Sequence, residues 1–350
     1  MSKLFVVSST ICLAAASISA HAFNFDVWGV GHLSVDNADD GTDASTYLAS
    51  NSSRLGFSGD HAINDRMRLL FQYESGVDLT GEGSNDGNGG ASSNGQLFTR
   101  TRDTFVGVSG DFGSVLFGRL GGLNQWLYDF NLFADQVGDL GNIWGGSGLP
   151  GRVDNALYYK TPAFGDAEVA VSYVPEEGVD GGDAYIVKAN YARDALKLGG
   201  AFARVGTGTG NPEHKVFAVS GSYNLGQFTL GGGYQDESDA GGTAGNDRDS
   251  FTLGAIYKVS DHGSAKLQYT MSDGTGNETD ATQWAVGYDH VLDDQTTLYV
   301  AYATTDNGAN TSFTANNYGH GDALTPATGE DPNAISIGIV YKFKARLWEK

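Results

Sequence analysis

Arg54, Arg102 and Arg152 are the side chains best placed to act on a charged solute. Each stands in a stretch where apolar and polar residues alternate. Arg54 is opposite in phase to Leu55 and Phe57, Arg102 to Phe105, and Arg152 to Leu157 and Tyr159. Successive side chains of a strand point to opposite faces, so the three guanidiniums share the face turned away from their apolar neighbours. If the apolar face meets lipid, the arginines point into an enclosed aqueous space. A guanidinium facing lipid at mid-depth would cost ~2–4 kcal/mol. Cations that face carboxylates across a narrow gap create a transverse field and a screen by size and charge.

Bond-making chemistry finds no comparable support. The seven histidines are scattered, and His21 lies in the leader described below. There is no H-E-x-x-H, nucleophile elbow, Walker loop or Rossmann fingerprint. A lipase site would need a serine and histidine paired at an outer rim, and no such pair is legible. The run Asp36 to Gly41 glances at a calcium loop, but Ala38 and Tyr47 occupy ligand positions, so it fails as an EF-hand. Gly87-Asn-Gly-Gly resembles a fragment of a calcium β-roll without the repeat. The single cysteine, Cys12, also falls in the leader, which excludes a disulfide framework and a cysteine-ligated metal. The expectation is a non-enzyme without cofactor or metal. A formal charge of −21 and a pI near 4.5 argue against nucleic acid as a partner.

The elements that must carry the arginines are strands. Ile335, Ile337, Ile339, Tyr341 and Phe343 alternate with Ser336, Gly338, Val340 and Lys342. Met67 to Glu74 behaves alike, and about sixteen such segments run from Phe25 to Phe343. They are joined alternately by short turns, such as Gly110-Asp-Phe-Gly113 and Asn224-Leu-Gly-Gln227, and by long connections rich in Gly, Asp, Asn and Ser. Residues 1–22 read as a secretory signal: Lys3, an apolar core from Leu4 to Ala16, then Ala20-His21-Ala22 as the cleavage site. Removing Lys3 with it leaves 20 basic residues against 42 acidic ones, a formal −22. After the leader no run approaches the ~18 apolar residues of a helical span. Export, an even strand number and one greasy face per strand together predict an all-β, transmembrane antiparallel β-barrel of about 16 strands.

One connection stands apart. Between Arg119 and Asp154 lie Trp126, Leu127, Phe130, Leu132, Phe133, Val137, Leu140, Ile143 and Trp144. So many apolar groups need a surface to pack against, and a barrel interior offers one.

Several segments resemble the general diffusion porins of Gram-negative outer membranes. They are Ser53-Arg-Leu-Gly-Phe-Ser-Gly59, Thr101-Arg-Asp-Thr-Phe-Val-Gly107, Gly110-Asp-Phe-Gly113 with Phe117-Gly-Arg119, and Gly151-Arg-Val-Asp-Asn-Ala-Leu-Tyr-Tyr-Lys-Thr-Pro162. The resemblance implies a sixteen-stranded barrel, a homotrimer in the bacterial outer membrane, and a long third loop folded into the lumen. It places Asp135 and Asp139 on the carboxylate side of an eyelet, with Arg54, Arg102 and Arg152 as the facing cluster. A basic residue that some porins carry on the first strand falls on Val30. The implied function is passive diffusion of ions and small hydrophilic solutes, among outer-membrane lipids and lipopolysaccharide. Acidic loops (Asp36, Asp39, Asp40 and Asp43; Asp236, Glu237, Asp239, Asp247 and Asp249) predict a mild cation preference. The competing reading is a structural or adhesive barrel that does not conduct, or a secreted calcium-dependent β protein. The barrel is expected to span residues 23–343, Phe343 closing its lipid-facing band, with residues 344–350 as a short tail outside the ladder.

Overall fold

In the computed structural model, large apolar side chains lie on the outside and small or polar ones on the inside. On the strand His214–Asn224, Phe217 and Val219 are exposed while Val216 and Ala218 are buried. On Asn333–Glu349, Ile335, Ile337 and Ile339 are exposed while Ala334 and Ser336 are buried. A soluble sheet would bury the isoleucines. This inversion suits a wall whose outer face meets hydrocarbon. The structure describes residues 23–80, 102–145, 149–176 and 178–349. The segment read as a leader (1–22), the glycine-rich stretch with Gly87 (81–101) and the start of the strand expected from Phe98 fall outside them.

Among the described residues the first half contains β1 (Phe23–Asp39), β2 (Ala44–Ser50), β3 (Arg54–Asn64), β4 (Met67–Gly76), β5 (Thr104–Gly110), β6 (Gly113–Gly121), β7 (Arg152–Lys160) and β8 (Ala167–Val174). The second half contains β9 (Ala184–Arg193), β10 (Leu196–Val205), β11 (His214–Asn224), β12 (Phe228–Ser238), β13 (Arg248–Lys258), β14 (Gly263–Gly274), β15 (Ala281–Val291), β16 (Thr296–Asn307) and β17 (Asn333–Glu349). Neighbours pair antiparallel throughout, and β17 pairs with β1 to close the barrel.

The seventeen strands make sixteen staves, because β2 and β3 share one. β2 pairs with the upper part of β1 (Leu33–Asp39) and β3 with its lower part (Phe23–Val30). The break falls at Asn51-Ser52-Ser53, where Ser52 takes a left-handed φ of 45°. The backbone stays tied across it, since the Asn51 N–H donates to the His32 carbonyl at 2.9 Å. The sequence places the second strand from Asn51; the stave starts at Ala44 and is interrupted there instead.

Short turns gather at the end where β1 begins, and the long loops at the other. Loop three, between β6 and β7, folds inward over residues 122–145. Trp126, Leu127, Phe133, Val137, Leu140 and Ile143 are all under 4% exposed. They dock on a wall cleared of side chains. A Cβ placed on Gly231 would lie 2.4 Å from the Phe130 ring, on Gly287 2.8 Å from Phe133, and on Gly233 3.0 Å from Trp144. Ala285 and Ala303 meet Gly138 of the loop in the same way. Glycine and alanine on these lumenal positions are the complement of the loop's aromatics. Polar tethers add direction: Trp126 Nε1 donates to Gln235 Oε1 at 2.6 Å, and the Leu132 N–H to Gln268 Oε1 at 3.0 Å.

The expected C-terminal tail is corrected. β17 runs past Phe343 to Glu349 and remains laddered to β1, with Trp28 opposite Lys344, Asp26 opposite Arg346 and Phe25 opposite Trp348. The cations that looked like the end of the strand are neutralised: Lys344 Nζ and Arg346 Nε lie 2.8 and 2.9 Å from the two carboxylate oxygens of Asp26.

Candidate functional site

Loop three leaves an open cleft against β1, β3, β14 and β17. The space is about 450 Å³, room for on the order of 15 waters at ~30 Å³ each. Arg54, Arg102, Arg152, Lys266 and Lys342 line it, with Asp135 and Asp289.

Each arginine sits at or just before the start of a strand, where the wall passes loop three. Arg54 opens β3 immediately after the Ser52 kink, and its Nη1 donates back to the Ser52 carbonyl at 2.8 Å. Its Nη1 is also 3.6 Å from Asp135 Oδ2 and its Nε 3.7 Å from Glu74 Oε1. Arg102 precedes β5 and pairs closely with Glu74; both are buried. Arg152 opens β7, and its Nε lies 2.7 Å from Asp103 Oδ1. Glu74 and Asp103 thus stand behind the arginines and fix their heads. Lys266 of β14 lies 2.9 Å from Asp289 Oδ2, 3.1 Å from Gln136 Oε1, and over the Phe133 ring. It supports the loop and charges the cleft at once.

Of the five residues marked from the sequence, the structure brings four together: Arg54, Arg102, Arg152 and Asp135. Asp139 does not join them. It is 1% exposed and turned into its own loop, where its carboxylate accepts from the Asp135 N–H (2.8 Å), the Gly141 N–H (2.7 Å) and Asn131 Nδ2 (2.8 Å). Burial, reinforced by the charge of Asp135, pushes its carboxyl up to about 7 against those three donors. Asp139 is the pin of the loop fold rather than a wall of the cleft. Asp135 itself takes a left-handed φ of 61°, a strain of ~1–3 kcal/mol for a non-glycine residue that the surrounding bonds must hold.

Lys266, Lys342, Asp289, Glu74 and Asp103 were not singled out from the sequence. Alternation puts Lys342 opposite in phase to Tyr341 and Phe343, and Lys266 opposite to Leu267. It does not say at what height a lumenal side chain sits.

The profile of the Gram-negative porin family matches residues 9–311. The chain belongs to that family. The porin is 28% identical over 352 residues to the outer membrane porin protein 32 of Delftia acidovorans, covering 94% of this chain and 95% of that one. It is 32% identical over 207 residues to a chitoporin of Vibrio furnissii, a match spanning 55% of this chain and only 54% of that relative. Among solved structures, an anion-selective porin from Comamonas acidovorans superposes with a TM-score of 0.76 at 24% identity, over 92% of this chain and 100% of that chain. The porin is accordingly a β-barrel channel of the bacterial outer membrane and not an enzyme.

Loop three of the porin gives a first expected outcome. Phe133→Ala removes a fully buried ring from the glycine wall, a loss of ~3–5 kcal/mol of packing. The strand ladder does not depend on it. Heat-modifiable gel migration should stay as in the wild type, while single-channel conductances spread over a wider range. A conductance distribution as narrow as the wild type's would show that the ring does not hold the loop.

Proposed function

We propose that the porin passes ions and small hydrophilic solutes by passive diffusion, and that its constriction prefers anions. The observation that carries this reading is the lining of the cleft: five cationic side chains against two carboxylates. Counting Glu74 and Asp103 behind the arginines still leaves an excess of one positive charge, within a chain of strongly negative net charge. This revises the mild cation preference expected from the acidic loops. Asp36 and Glu237 of that set are buried strand residues bonded to His320 and Gln235, and the field of the remaining loop carboxylates falls off over a Debye length of ~10 Å at 0.1 M salt. A solute in the cleft touches the cations directly. The anion selectivity of the similar porin from Comamonas acidovorans supports the same sign.

We also place the porin in a homotrimer among outer-membrane lipids and lipopolysaccharide. Phe23, Phe25, Phe57 and Phe71 stack on one another on the outer face of β1, β3 and β4, an aromatic patch suited to a second copy.

The test is the reversal potential across a planar bilayer under a KCl gradient. Anion preference is expected, and it should grow as mean salt rises, because screening silences the distant acidic mouth before the lining charges. Cation preference persisting at high salt would refute the reading. Absence of any conductance would favour the structural or adhesive alternative.

A further inference from the structure

We infer that His320 is a positioning residue for the constriction: loop eight, residues 308–332 between β16 and β17, uses this imidazole to hold the Asp135 backbone and with it the acidic edge of the cleft. The inference rests on the pore reading above and adds a control point to it. His320 Nδ1 lies 3.1 Å from the Asp135 carbonyl oxygen and Nε2 lies 2.8 Å from Asp36 Oδ2. A backbone carbonyl can only accept, and so can an ionised carboxylate. Both ring nitrogens must therefore donate, which requires the imidazolium. His320 and Asp36 are both fully buried, so neither charge has water to fall back on.

The clamp acts where the loop most needs one. Asp135 is held at its left-handed φ by three partners. Its N–H donates to Asp139, its carbonyl accepts from His320, and its carboxylate faces Arg54. Gly319 lets loop eight come this close: a Cβ there would lie 2.4 Å from Asp135 Oδ1. The two loops are bonded elsewhere as well. The Gly138 N–H donates to the Ala315 carbonyl at 2.9 Å, and Asn142 Oδ1 accepts from the Tyr318 N–H at 2.8 Å. Losing His320 thus frees one carbonyl without releasing the whole loop.

The charged and titratable groups around His320 come from four elements. Asp36 and His32 belong to β1, and Asp135 with Asp139 behind it to loop three. Arg54 of β3 faces Asp135, and Tyr299 of β16 bonds His32 at 2.8 Å. Burial works against the imidazolium, yet the hydrogen bond and charge of Asp36, with the carbonyl and charge of Asp135, outweigh it and lift His320 above its ordinary value. The sign follows. A group lifted in the folded state contributes fully below its ordinary value and loses that contribution as pH rises through the lifted one. The clamp therefore holds below the ordinary histidine range and opens as pH rises through the lifted value. Asp139, pushed up to about 7, titrates as well, and the variants below separate the two groups.

Single-channel recording of the full-length protein from about pH 6 to about pH 10 tests this. Wild-type channels should be quiet at the acid end, and occupancy of subconductance states should rise about tenfold in base, the scale of one charge-assisted hydrogen bond. His320→Gln should be noisy at every pH and lack the His320 transition, while keeping the one of Asp139. Asp36→Asn removes the carboxylate that lifts His320, so its transition should move to lower pH. Wild-type recordings that stay flat into base overturn the clamp, as does His320→Gln with a wild-type pH profile. So does an Asp36→Asn transition that does not move. If His320→Gln fails to assemble, the wild-type and Asp36→Asn profiles still decide. A protein that passes no current sinks the pore reading itself, whereas a steady current without the transition sinks only the clamp.

Discussion

Replacing Arg54, Arg102 and Arg152 together with glutamine should reverse the sign of the porin's selectivity. A unit charge ~5 Å from a passing ion is worth ~0.8–3 kcal/mol at an effective dielectric between ~80 and ~20. Even the lower value, taken three times, exceeds the ~1.4 kcal/mol that changes a permeability ratio about tenfold. The substitutions leave Lys266 and Lys342 against Asp135, Asp289, Glu74 and Asp103, so the local excess turns negative and the acidic mouth now acts in the same direction. One companion change matters. Glu74 is 4% exposed and is held by Arg102 and Arg54. Breaking a buried ion pair from one side costs ~3–5 kcal/mol. The variant should therefore also carry Glu74→Gln, which still leaves an acidic excess of one. Arg102→Gln alone should assemble less well than Arg102→Gln with Glu74→Gln. A reversal potential unchanged in sign and size after the arginines are gone would mean that ions take a path away from this cleft.

The parts of this site that strands carry were legible in the sequence, and the parts that loops carry were less so. Arg54, Arg102 and Arg152 could be placed on the lumenal face because a strand has a period of two and their neighbours Leu55, Phe105 and Leu157 fix its phase. The inward course of loop three could be read because its aromatic and branched residues had no other surface to cover. Its matching wall, Gly231, Gly233 and Gly287, was not read from the sequence, since glycine also takes outward positions such as Gly232, opposite the exposed Leu253. Asp135 and Asp139 are four residues apart in a loop, where no period orients side chains. The left-handed turn at Asp135 sends one carboxylate into the cleft and the other into the loop's own hydrogen bonds. Lys266 and Lys342 were visible as lumenal residues, but their height depends on the stagger of the whole barrel. Trp28 stands in phase with Val30 and His32 and lies over Gly56. His320 belongs to a loop of 25 residues whose partners, Asp36 and Asp135, are nearly two hundred residues or more away in the chain.

Deleting residues 344–350 should lower the amount of folded, heat-resistant barrel sharply. β17 pairs with β16 only as far as Tyr341 opposite Thr296. The Lys342 N–H still donates to the Gln295 carbonyl at 2.8 Å; from Phe343 onward the ladder is with β1, and it covers the edge of β1 from Asn24 to Trp28. Removing it exposes a strand edge at the seam of a closed wall, where backbone groups near lipid need partners of their own. The charges predict an asymmetry that plain loss of length does not. Asp26 is 6% exposed, while Lys344 and Arg346 are well exposed at their side chains. Asp26→Asn lets both cations return to solvent and should cost on the order of 1 kcal/mol, as an exposed pair does. Lys344→Gln with Arg346→Gln strands the carboxylate and should cost several times more, approaching ~3–5 kcal/mol. The measurement is the temperature at which the heat-resistant band on a gel gives way, compared across the deletion, the two charge variants and Phe343→Ala. Phe343 covers Gly29 on the outer face, so its loss should fall between the two charge variants. A deletion that assembles like the full chain, together with equal losses in the two charge variants, would show that the strand ends functionally at Phe343 and that Asp26 needs neither cation.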